Sequence, residues 1–302
     1  MPLDINLSPI YRINGQEDSA MPGMLAVTPP KVTARGREGD RLIVYLLLAG
    51  NSTFTTTEYK KIAEDAAAVY YQTPRAVTSA LRASAEQVNK ILLDRNMKSS
   101  AQGQYALGYL VLASIRESQC IFSISGPMHA YTFSQTETRH IFEPSVSGKG
   151  LGSSQNSHIH YAQIDLNVGD LFLLCGKVPN AWSTSLADSK PSSLPSMRRR
   201  LTTSTGEDLN AILIQAGIGN GSINFITSSK EEKVDEAPPP DLTPNLPQPT
   251  PADSTPAHVL QPSAYAIPLQ QKEDPLASLP RQTTPRDFLR LFREPNPKIM
   301  LR

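Results

Sequence analysis

Apolar positions along this chain change their period twice. Residues 42–48 read Leu-Ile-Val-Tyr-Leu-Leu-Leu without a polar break, between Asp40 and Gly50-Asn51. A run of that length fits a strand buried on both faces, although period alone leaves a short helix open. The spacing then becomes helical. Thr55 and Glu58 form a capping-box pattern ahead of Tyr59, Ile62, Ala63, Ala66, Val69 and Tyr70, which predicts a first helix. Thr73-Pro74 offers a cap and a first-turn proline, and Val77, Leu81, Ala85, Val88, Ile91 and Leu92 carry a second apolar stripe to about Asn96. After the loop at 99–103 the pattern turns to strands. Residues 105–115, 120–125 and 130–134 read as a meander. Residues 159–166 and 171–175 read as the next pair, and residues 211–216 and 223–226 as the last. Strands, two consecutive helices and then many strands predict an α+β layered domain with antiparallel sheets.

The ends of the chain differ from its middle. Residues 1–33 look irregular, with Pro22-Gly23 and Pro29-Pro30 and one short apolar run at 24–27 that suits an edge strand. Of the 26 prolines, 15 lie between Pro238 and Pro297. Residues 229–280 combine that proline content with few aromatics and an acidic start, so a disordered linker is expected there. Residues 281–302 carry six basic side chains (Arg281, Arg286, Arg290, Arg293, Lys298, Arg302) and two acidic ones. Within them Phe288, Leu289, Leu291 and Phe292 alternate with arginines in a short amphipathic pattern, which suits an anionic membrane surface or a partner groove.

Net charge is +1, so no general attraction to nucleic acid is expected. Cys120 and Cys175 stand alone in apolar strand patterns, which fits buried free thiols and a reducing, cytoplasmic setting, with the inner face of a membrane as a variant. The first ten residues lack a basic run followed by an apolar core, so a secretory signal is not expected. No apolar run reaches the roughly 18 residues that a membrane helix needs.

The candidate chemistry is thin. His158 and His160 share one strand face without an evident third ligand, and His129 and His140 flank a hairpin. The glycines at 148, 150 and 152 precede no helix and therefore make no phosphate cradle. Arg198-Arg199-Arg200 has no interleaved aromatics. The acidic residues Asp40, Asp165, Asp170 and Asp208 stand apart beside expected turns.

Four short motifs carry more. Ser125-Gly126-Pro127-Met128-His129-Ala130-Tyr131 resembles the Gly-Asp-Ser-Arg-Ala-Tyr strand of the metal-dependent protein phosphatases, the PPM or protein phosphatase 2C family. Leu47-Leu48-Ala49-Gly50 resembles that family's first Asp-Gly strand end. Leu173-Leu174-Cys175-Gly176-Lys177 resembles its Leu-Leu-Cys-Ser-Asp-Gly end, and Asp208-Leu209-Asn210 its late Asp-Asn pair. All four occur in the family's order, over residues 34–228. The resemblance implies an αββα sandwich, two antiparallel sheets between helices. It also implies a two-metal hydrolytic site, but Ala49, Pro127, Lys177 and Leu209 stand where carboxylates belong. With Gly50, Gly126 and Asn210 these are the degenerate positions of the motif set. Alanine and leucine offer no oxygen ligand, and an ammonium opposes a bound cation.

The expected role is thus a catalytically inactive, pseudophosphatase-like module for binding or regulation in signalling, with a protein partner, no metal and no cofactor. Two alternatives stand beside it: an active metal-dependent serine/threonine phosphatase with an atypical site, and a structural module of a membrane-associated assembly. Arg35 and Arg37, in a segment similar to the family's arginine-rich entry, are candidate phosphate contacts together with Lys177.

Overall fold

The computed structural model describes residues 2–18, 20–187 and 189–226. The expectations for 229–280 and 281–302 lie outside the described residues. In chain order the elements are β1 (Leu3–Ile13), β2 (Gln16–Glu17), β3 (Met24–Val27), β4 (Asp40–Gly50), α1 (Thr56–Gln72), α2 (Val77–Ser99), β5 (Ala106–Arg116), β6 (Gln119–Ser125), β7 (His129–Phe133), β8 (Thr138–Ile141), α3 (Pro144–Ser147), β9 (His160–Asp165), β10 (Leu171–Cys175), α4 (Asn180–Ala187), α5 (Leu194–Thr203), β11 (Leu209–Ile218) and β12 (Ile223–Phe225).

They assemble into two sheets. One runs β3-β4-β5-β6-β9, and the other β12-β1-β11-β10-β7-β8 with β2 hairpinned onto β1. Strand alternation explains the layers. Ile43 and Tyr45 of β4 join Ile5, Leu7, Phe122, Phe172 and Ile214 in a core between the sheets. Leu42, Val44 and Leu46 of the same strand face the other way, onto Ala66, Tyr70, Leu81, Val88 and Leu92 of α1 and α2. That double burial is why the 42–48 run has no polar position. On the outer face of the second sheet, Leu173, Cys175 and Leu213 pack under Trp182, Leu186, Met197 and Leu201 of α4 and α5. The result is the expected αββα sandwich.

The capping box at Thr55 and Glu58 forms as its sequence implies, with both reciprocal hydrogen bonds present. The second helix starts later than Thr73-Pro74 suggests: its N-cap is Ala76, which makes no side-chain cap bond. Cys120 and Cys175 are buried free thiols.

Four expectations are corrected. Residues 1–33 are not simply irregular, because β1 is an interior strand that pairs antiparallel with β11 and parallel with β12. The reason Pro9 is tolerated lies in parity. Ile5 donates to Ser222 O and Leu7 O accepts from Ile226, so odd-numbered residues point their hydrogen bonds at β12. The β1–β12 ladder stops at Leu7, so the N–H that Pro9 lacks removes no ladder bond. The meander is broken after β6, since β7 joins the other sheet. Gly126, at φ +84°, makes that crossing. The β9–β10 turn likewise passes between sheets, with Asp170 Oδ2 accepting from the Asn167 amide at 2.8 Å. Finally, β11 and β12 do not pair with each other; both flank β1.

Candidate functional site

Two sheets stacked face to face leave an opening where several strand ends meet. Here the end of β4, the start of β11, the stretch after β10 and the turn before β7 converge on a cavity of roughly 370 Å³. Ala49, Pro127, Lys177, Leu209 and Asn210, scattered over 160 positions of sequence, all line it. Gly50 and Gly126 adjoin it. Gly50 adopts φ +113° against Tyr105 O, and a side chain at Gly126 would run into the ring of Tyr109, itself a wall of the cavity.

The remaining walls were not legible as a site. Tyr11, Ile13, Leu47, Tyr59 and Tyr109 make the lining largely apolar and aromatic. Behind it stands Tyr45, wholly buried in β4, whose hydroxyl lies 2.7 Å from Asn210 O and 2.9 Å from Asn210 Oδ1. Burial pushes its phenol pKa well above the ordinary value. A tyrosine inside an otherwise aliphatic strand signals such a buried polar partner.

The charged groups at the rim are engaged with one another. Lys177 Nζ meets Glu207 Oε2 at 2.6 Å, with the lysine side chain 75% exposed. Arg12 crosses from β1 to the last turn of α5 and the loop after it, and donates to the carbonyls of Thr202, Thr205 and Glu207. Asp208 Oδ1 accepts from the Asn14 amide at 2.8 Å. Divalent cations of the hydrolytic type require several converging oxygens, mostly carboxylate. Among the described residues no group of three or more His, Cys, Asp or Glu side chains is arranged to hold a metal. The donor set of this cavity therefore does not fit a two-metal centre.

Arg35 and Arg37 do not share the cavity with Lys177, which corrects the expectation of a joint phosphate site. Both precede β4, whereas the cavity lies at its far end, lined by Leu47, Leu48 and Ala49; most of an 11-residue strand separates them, roughly 25–30 Å. Arg37 is fully buried. It donates to Asp40 Oδ2 at 2.7 Å, to the Tyr70 hydroxyl at 3.2 Å, and to the carbonyls of Thr73 and Arg75. Asp40 also accepts from Arg116 at 2.6 Å and from the Tyr70 hydroxyl at 2.7 Å. This guanidinium is a structural tie with its donors already used, while Arg35 is exposed beside it.

The histidines also resolve into structure. His129 Nδ1 and His140 Nε2 lie 2.9 Å apart, bridging β7 and β8, and His140 stacks on Tyr131 at 4.2 Å. Burial, then the neighbouring His140, lowers the His129 pKa to about 4. His160 lies 3.9 Å from Glu143, and His158 offers its carbonyl to Ser125. The glycine-rich loop is stapled to α2: Asn89 accepts from the Gly152 amide at 2.6 Å, and Asn96 donates to Gly152 O at 2.9 Å.

Neither a family model nor a curated protein sequence matches the chain. Solved structures do. The serine/threonine phosphatase of S. agalactiae aligns with a TM-score of 0.51 at 13% identity, over 71% of this chain and 100% of that one. Serine/threonine phosphatase Stp1 from Staphylococcus aureus aligns at 0.51 and 13%, over 73% and 96%. A bacterial serine phosphatase aligns at 0.50 and 11%, over 72% and 98%. The fold is therefore the α+β fold of the protein phosphatase 2C type, as the ordered motifs imply. At such identities the likeness concerns the fold and not the chemistry.

Proposed function

We propose that this chain is a phosphatase-like binding module that does not hydrolyse phosphoesters by metal catalysis, and that it engages a protein partner through the cavity at the strand ends. The observation that supports this reading is the lining itself. Ala49, Pro127 and Leu209 supply no ligand oxygen, and the Lys177 ammonium, paired with Glu207, occupies the rim. The fold's two-metal chemistry depends on carboxylates that lower the pKa of a bridging water and clamp a phosphate. A cavity walled by tyrosines and leucines keeps the shape of a binding site without that means of activating water. The test is turnover of an aryl phosphate and of phosphoserine and phosphothreonine peptides by the full chain, with manganese or magnesium. No metal-dependent turnover above buffer is expected. Turnover that depends on metal and disappears with chelator would overturn the proposal.

A further inference from the structure

The cavity's own polar and charged groups indicate what it takes. We infer that its occupant is a neutral, apolar residue of a partner polypeptide, aromatic or aliphatic, whose adjacent peptide group pairs with the side-chain amide of Asn210. This inference rests on the binding-module reading and assigns the chemistry of that same site.

Three observations carry it. First, the cations at the rim are engaged. Lys177 is paired with Glu207 at 2.6 Å, and Arg12 donates to carbonyls at the end of α5 and in the loop after it. With Glu207 on Lys177 and Asp208 in the same lining as Arg12, the rim carries no net positive charge to draw an anion. Second, the amide of Asn210 is pinned. The Tyr45 hydroxyl has one proton and two Asn210 oxygens within reach, at 2.7 and 2.9 Å. One end of the amide is held at Tyr45, the other makes no hydrogen bond among the described residues, and Asn210 lines the cavity, which leaves that end to a ligand. A peptide group carries both a donor and an acceptor, so it complements either end, whereas a phosphate or carboxylate complements only the N–H end. Third, the apolar surface continues past the cavity. Ile13 lines it and is itself 46% exposed, which extends the contact along a chain rather than enclosing a small molecule. A roughly 370 Å³ recess falls within the range of ordinary ligand pockets.

The experiment is a nuclear magnetic resonance titration of the full chain with two probes, N-acetyl-phenylalaninamide and phenyl phosphate. The reporters are the Asn210 side-chain amide and the methyls of Ile13 and Leu47. The amide probe is expected to shift all three saturably, with at least tenfold higher affinity than phenyl phosphate. Asn210→Ala should weaken it about tenfold, the size of one lost buried hydrogen bond. Ile13→Ser, at an exposed position that leaves the core intact, should weaken it several-fold. Equal or tighter binding of phenyl phosphate, or no shift with either probe, overturns the inference. Neither result bears on whether the chain hydrolyses phosphoesters, which the turnover assay decides separately.

Discussion

Asp40 shows how much one side chain can hold in place. Its carboxylate is fully buried and accepts from Arg37, Arg116 and the Tyr70 hydroxyl, while the Arg37 guanidinium is itself wholly enclosed. Removing one member of a buried pair leaves the other charged and unsolvated. Asp40→Ala is therefore expected to cost roughly 3–5 kcal/mol in urea denaturation. A loss below about 1 kcal/mol would mean that water reaches Arg37. His129 makes a second prediction at this scale. Its pKa falls from an ordinary 6.5 to about 4 in the fold. The unfolded chain thus takes up its proton first as pH drops, so stability is lost from about 6.5 down to about 4 and levels off below. Because carboxylates also titrate near the lower end, the readout is a comparison. His129→Gln should flatten the decline between those values, and an unchanged profile would count against a neutral His129 in the fold. At this scale the sequence was legible where side chains act locally, as with the capping box. It was not where they act over distance: nothing near Arg37 in sequence announces Tyr70 or Arg116 as its neighbours.

Among the elements, β1 carries the main lesson. Leu3, Ile5 and Leu7 alternate with Asp4, Asn6 and Ser8, a clear two-residue period. Pro9 then argues against an interior strand, and only the parity of the ladder, with Pro9 beyond the end of β12, reconciles the two. Sheet membership is equally invisible in sequence. A turn such as Gly126-Pro127 is readable, but whether it closes a hairpin or passes to a second sheet depends on which core receives Ala130. That residue enters the core between the sheets, while Tyr131 packs outward beneath α4 and α5. Because β1 stands between β11 and β12, a chain beginning at residue 34 loses the longest strand of one sheet and with it the pairing of both neighbours. It is expected to lack a cooperative thermal transition. A sharp transition and a dispersed amide spectrum from that shortened chain would contradict this placement.

For the whole molecule, two sheets between two helical layers bring Ala49, Pro127, Lys177, Leu209 and Asn210 to one cavity. The order of the motifs made that convergence legible; the tyrosine walls and the Glu207 partner of Lys177 were not, because they come from β1, α1, β5 and the loop after α5. The central proposal is that this fold of the phosphatase 2C type carries a cleft without a metal-binding donor set. A ligand that binds only the folded state at about a hundred times its dissociation constant stabilises it by about 2.7 kcal/mol, which raises the Tm of a domain this size by roughly 5–10 °C. The direct measurement is the Tm of the full chain with and without millimolar manganese, checked against chelator. No rise is predicted. A chelator-reversible rise of several degrees would contradict the account.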